Sequence, residues 1–104
     1  MVRVGLVGCG TIGSRLALAL QRNYPHAASI TALHDIDPAH ALALSARLAS
    51  TPPLVSLPVL IRRSRLVIEA ASADVAGRVV CAALRANRDV FVMSVGGLLR
   101  DRRW

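Results

Sequence analysis

The stretch VRVGLVGCGTIGSRLALAL, residues 2–20, decides the fold. It begins with a mainly apolar run from Val2 to Val7, passes through three closely spaced glycines and continues into an alanine- and leucine-rich segment. The apolar run is typical of a buried strand, and residues 11–22 are typical of a helix with an apolar stripe. The chain therefore starts with a strand, a tight turn and a helix.

The rest of the chain repeats this alternation. We expect further strands at residues 29–34, 54–57, 66–70 and 90–94, further helices at 38–49 and 72–85, and a helical turn at 58–63. Asp37 and Ser72 stand where helix N-caps belong, and Asn87 suits the left-handed position after a helix. Alternating strands and helices predict an α/β fold, a Rossmann-type doubly wound parallel sheet in a single domain.

Composition narrows the class of protein. With 54% hydrophobic and 18% charged residues, the 104-residue chain is long enough to bury one core. The net charge of +7 comes with few aromatic residues, so we expect no nucleic-acid partner. We expect no membrane segment and a cytoplasmic location. Cys9 and Cys81 are too few and too far apart for a zinc site or a disulfide framework, and no metal is expected.

The three glycines form a G-x-G-x-x-G pattern. Gly8 permits a tight turn, Gly10 lets the backbone approach a pyrophosphate, and Gly13 lets the helix pack close to the strand. The amide groups of Thr11 and Ile12 would point at the phosphates from the helix N-terminus. The pattern is weak alone, but a strand before it and a helix after it favour a dinucleotide site.

Asp35 supports the same interpretation. It follows the second strand, 22 positions after Gly13, where a carboxylate can accept both hydroxyls of the adenosine ribose. A carboxylate there repels the 2′-phosphate of NADP, and Ile36 offers no compensating charge. NAD is therefore the expected cofactor, with NADP less favoured.

Small residues follow two later strands. Because ligands gather at the carboxyl ends of parallel strands, we expect Ala71, Ser72 and Ser94, with Val95 and Gly96, to line the path toward the nicotinamide. An ordinary loop role for each of them stays open. Glu69 is the acid within an apolar strand and could act as a general base.

Three motifs together resemble the L-aspartate dehydrogenase family: VGLVGCGTIG at residues 4–13, LVIEAAS at 66–72 and DVFVMSVGGL at 89–98. The resemblance implies an NAD(P)-dependent oxidoreductase that interconverts L-aspartate and iminoaspartate, at the entry to NAD biosynthesis. It also implies that Gly8, Gly10, Thr11, Ile12, Asp35, Ala71, Ser72 and Ser94 occupy cofactor positions. Glu69 matches the family's E-A-A-S motif, where hydrogen bonding in the loop region is a plainer role than catalysis.

The chain also departs from that family. The family's second half carries the catalytic histidine and most of the dimer interface, and we expect residues 1–104 to hold the dinucleotide-binding domain without that catalytic domain. His26, His34 and His40 match no catalytic position, so no catalytic residue is assigned. Asn87 replaces a usual glycine, and residues 98–104 depart from the family pattern.

Other functions stay open. A homoserine-dehydrogenase-like or dihydrodipicolinate-reductase-like enzyme could share the opening motif. A free-standing NAD-sensing or interaction module, perhaps a homodimer, is the alternative from another class. The sequence alone does not decide whether the chain itself is an enzyme.

Overall fold

A parallel four-stranded sheet is the centre of the molecule, in a computed structural model that describes residues 1–94. The strands are β1 (Val2–Val7), β2 (Ala28–His34), β3 (Leu66–Glu69) and β4 (Asp89–Val92). They lie in the order β2-β1-β3-β4. The predicted roles of Val95 and Gly96, and the divergent end at residues 98–104, lie outside the described residues.

Among the described residues, four helices connect and cover the strands: α1 (Thr11–Asn23), α2 (Pro38–Arg47), α3 (Leu57–Arg63) and α4 (Ala73–Arg85). Helix α2 begins as its sequence predicts, because the Asp37 side chain accepts a hydrogen bond from the Ala39 amide at 3.0 Å and Pro38 opens the helix. Helix α4 ends before Asn87, which has φ of 57°. Within residues 1–94, no helix is long and apolar enough to cross a membrane.

Strands β1, β2 and β3 bury both faces of the sheet, whereas β4 leaves Phe91 56% exposed on one face. Leu6, Leu33 and Ile68 pack in one core cluster with Ala17 of α1 and Leu44 of α2. The alternate strand residues Val7, Ala32 and Val67 pack in a second cluster with Leu60, Ile61, Val79 and Ala83 of α3 and α4. Because neighbouring strand residues point to opposite faces, one set of strands supplies both cores. The predicted Rossmann-type α/β fold is confirmed.

The predicted strand at 54–57 is wrong. Leu54 forms a single parallel bridge with Leu33, and Leu57 already belongs to α3. The preceding Pro52 and Pro53 have no amide hydrogen for a ladder, and Pro58 in the first turn starts a helix. Other ends differ by one or two residues, such as α2, which ends at Arg47, and β3, which ends at Glu69.

Candidate functional site

The turn between β1 and α1 is packed tightly against the loop after β3. Gly8 has φ of +98°, and a Cβ there would stand 2.6 Å from the backbone of Ala70 and Ala71. A Cβ on Gly13 would overlap the carbonyl oxygen of Gly8. Glycine at these two positions is therefore a condition for bringing α1 close to the sheet.

Gly10 differs from its two neighbours in the motif. A Cβ built on it would meet nothing within 4 Å, so its surroundings are open space. Gly10 is also the N-cap of α1, without a side chain to accept the first amides, and the first turn of the helix holds no acidic residue. The amides of Thr11 and Ile12 have no partner within the helix and are available to an anion.

Asp35 lies directly after β2 with its side chain only 10% exposed. One carboxylate oxygen accepts a hydrogen bond from the Cys9 amide at 2.7 Å, and the other accepts from the Asp37 amide at 2.9 Å. The side chain thus ties the glycine turn to the start of α2. A carboxylate has further lone pairs, so Asp35 can also accept from ribose hydroxyls.

A cavity of about 890 Å³ joins these parts at the carboxyl end of the strands. The volume lies within the range of small-molecule sites, about 300–1,000 Å³. The structure brings seven of the predicted cofactor residues to its wall, namely Gly8, Gly10, Thr11, Ile12, Asp35, Ala71 and Ser72. Gly13 and Ser94 do not line it among the described residues. Gly13 acts instead through helix packing, as its close approach to Gly8 shows.

Sequence reasoning missed several residues of the cavity wall, namely Ile36, His40, Leu57, Pro58, Val75 and Arg78. Ile36 and His40 lie one and five positions after Asp35, so their nearness to a predicted site residue could have indicated that they line the cavity. Val75 and Arg78 are three positions apart on α4, as a helix face requires. Leu57 and Pro58 have no local signal, because only the tertiary fold brings α3 to the cavity.

Glu69 holds the loops after β3 and β4 together. The side chain is fully buried, and its carboxylate accepts from the Ala71 amide at 2.8 Å, the Ser94 amide at 2.9 Å and the Ser94 hydroxyl at 2.9 Å. The expected hydrogen-bonding role is confirmed. Ser94 is therefore linked to the cavity residue Ala71 by their shared hydrogen bonds to Glu69. Its contact with a cofactor stays a prediction.

Ser72 is the N-cap of α4, but its side chain makes no capping hydrogen bond. The predicted N-cap position is confirmed, and the Val75 amide donates to the Ser72 carbonyl oxygen at 3.1 Å. The exposed Ser72 hydroxyl borders the cavity instead.

Cys9 stands at the centre of the glycine motif without being a nucleophile. Burial raises the pKa of its thiol to about 12, and the Asp35 carboxylate adds to the rise. The group remains a protonated thiol at neutral pH. Cys81 is also buried and free, and the part of the chain that the structure describes has no cluster of metal ligands.

Comparisons with known proteins identify the family. Residues 8–104 match the family model of the homoserine dehydrogenase NAD-binding domain. The chain is 40% identical over 98 residues to the L-aspartate dehydrogenase of Methanocella arvoryzae, covering 94% of this chain and 36% of that protein. It is 36% identical over 96 residues to L-aspartate dehydrogenase 3 of Bordetella bronchiseptica, covering 92% and 35%. The chain thus spans a little over a third of these relatives' length.

Solved structures show the same fold. The apo scyllo-inositol dehydrogenase from Lactobacillus casei superposes with a TM-score of 0.82 at 20% identity, covering 94% of this chain and 30% of that one. A 3-ketoreductase from Actinomadura kijaniata, solved in complex with NADP, gives a TM-score of 0.74 at 27% identity, covering 88% and 29%.

Proposed function

This chain belongs to the family of homoserine dehydrogenase NAD-binding domains, and on that basis we propose that its cavity binds NAD in preference to NADP. We propose further that the chain is the cofactor part of an oxidoreductase that acts on L-aspartate, with substrate chemistry supplied by residues outside 1–104. One observation carries the cofactor proposal: the open space at Gly10 and the Asp35 carboxylate lie in the same cavity.

The residues present fit a dinucleotide. Gly10 leaves room for a pyrophosphate beside the first amides of α1, whose positive end stabilises negative charge. Asp35 lies beside the glycine turn, with its carboxylate on the Cys9 amide at 2.7 Å, and ribose hydroxyls would donate to its remaining lone pairs. When bound, the nicotinamide supplies hydride transfer. The chain's own residues bind and orient that cofactor.

We expect Asp35→Asn to weaken NAD binding about tenfold and to reduce the preference for NAD over NADP. The change removes the charge that repels a 2′-phosphate and weakens the acceptor for ribose hydroxyls. Isothermal titration of the folded chain with each cofactor measures both effects. Asp89→Asn is the matched control, because this exposed carboxylate pairs with exposed Arg65 at 3.6 Å and does not line the cavity. Tighter binding of NADP than NAD by the unchanged protein would contradict the preference.

The substrate proposal has its own test. The L-aspartate dehydrogenase names of the relatives favour L-aspartate, whereas the family model keeps homoserine as the second candidate. We would replace the matching N-terminal part of the Methanocella arvoryzae enzyme by residues 1–104 and follow NADH formation. We expect formation with L-aspartate and none with homoserine. A chimera that folds and binds NAD yet is inactive with L-aspartate would contradict a cofactor role in that enzyme.

The remaining expectations are proposals as well. We propose a cytoplasmic location, which the buried and free Cys9 and Cys81 support, since thiols stay reduced there. A homodimer is a further proposal, and light scattering coupled to size-exclusion chromatography measures it directly.

A further inference from the structure

His40 stands between two carboxylates at the adenosine end of the proposed site. It is the third residue of α2, and its amide donates to the Asp37 carbonyl oxygen at 3.2 Å. The ring places Nδ1 3.7 Å from Asp35 Oδ2 and Nε2 3.6 Å from Asp37 Oδ2. The side chain is 55% exposed and borders the same cavity as Ile36.

The charges around this ring are unequal. Asp35 and Asp37 bring two carboxylates to the place where a ribose would bind, and Ile36 adds no charge. Two other basic side chains border the cavity among the described residues. The His34 ring is held by its Nδ1 against the Val55 carbonyl oxygen at 2.8 Å, and Arg78 belongs to α4. His40 is the basic side chain that contacts both carboxylates.

This arrangement has a consequence for the two cofactors. Against Asp35 and Asp37 alone, the 2′-phosphate of NADP meets repulsion from two negative charges. An imidazole carries at least one N–H donor in either protonation state, and a hydrogen bond from it to the phosphate would offset part of that repulsion. NAD has a hydroxyl at the same position and depends far less on a donor there, because Asp35 itself accepts from it.

We propose that His40 determines the cofactor specificity of this site by admitting NADP as a second, weaker cofactor beside NAD. This rests on the proposed dinucleotide function and deepens it. Asp35 sets the preference for NAD, and the imidazole of His40 limits how strongly the 2′-phosphate is rejected.

The test compares the unchanged protein with His40→Ala, His40→Arg and the control His26→Ala, whose exposed side chain does not border the cavity. Isothermal titration gives the affinity of each for NAD and NADP. We expect His40→Ala to weaken NADP binding about tenfold and NAD binding less than about twofold. His40→Arg should strengthen NADP binding, and His26→Ala should change neither.

The outcomes separate the two proposals. If His40→Ala weakens the binding of NAD and NADP equally, His40 only lines the cavity and the inference is overturned. Unchanged affinity for both cofactors would overturn it as well. Either result leaves NAD binding, and so the proposed function, in place. Failure of the unchanged protein to bind either cofactor would overturn both. Thermal unfolding of each variant checks that the substitution leaves the fold intact.

Discussion

Gly13→Ala is expected to lower the free energy of unfolding by about 3 kcal/mol, at the upper end of the usual cost of overpacking. The added methyl would overlap the Gly8 carbonyl oxygen and would also lie 3.5 Å from the Ala70 Cβ. The main obstacle is backbone and cannot rotate away, so α1 would have to move from the sheet. Because domains are stable by only about 5–15 kcal/mol, the loss is large. Urea unfolding followed by circular dichroism measures it.

Gly10→Ala is the matched control in the same motif. Its added methyl enters open space, and φ of −74° at this residue suits alanine. We expect stability within about 1 kcal/mol of the unchanged protein but NAD binding weakened at least about tenfold, because the methyl occupies the room for the pyrophosphate. Unchanged stability in Gly13→Ala would contradict the packing of α1, and unchanged NAD affinity in Gly10→Ala would contradict the pyrophosphate position.

Glu69→Ala is expected to cost about 3–4 kcal/mol of stability. The change removes the acceptor of three hydrogen bonds, from the Ala71 amide and from the amide and hydroxyl of Ser94, and leaves these donors unpaired around a fully buried position. The loops after β3 and β4 then lose their common anchor. Because Ala71 borders the cavity, NAD affinity should fall as well.

A graded series tests this explanation. Glu69→Gln keeps one acceptor oxygen but places an amide group against a donor, so its cost should be intermediate. Ser94→Ala removes only the hydroxyl donor and should cost about 1 kcal/mol. Urea unfolding ranks the three variants. If Glu69→Ala is within about 1 kcal/mol of the unchanged protein, water replaces the carboxylate and the Glu69 hydrogen bonds contribute little to stability.

Much of the fold was predictable because its signals are local. Periodicity and start signals placed β1, α1, β2 and α4, and Asp37 with Pro38 marked the start of α2. The failed strand at 54–57 has a physical reason in the sequence, since the prolines before it have no amide hydrogen. The apolar residues at 54–57 favoured a strand over that proline signal. The structure keeps only a single bridge between Leu33 and Leu54 in this segment.

The site was predictable in its backbone part and less so in its side chains. Each glycine has a local reason, and the resemblance to L-aspartate dehydrogenases is confirmed by the curated relatives. The bond from the Cys9 amide to Asp35 spans 26 positions, and the bonds from Ser94 to Glu69 span 25. Such partners depend on the register of neighbouring strands, which the sequence pattern alone does not specify.

The two backbone bonds of Asp35 constrain any effort to redesign the cofactor preference. Because a carboxylate at this position repels the 2′-phosphate of NADP, its removal is the direct route to an NADP-dependent site. Here asparagine keeps an acceptor oxygen for only one of the Cys9 and Asp37 amides, and a shorter side chain keeps none, so altered selectivity and loss of stability would arrive together. Directed evolution toward NADP should therefore retain Asp35 and accumulate substitutions around it, or gather stabilising changes elsewhere first.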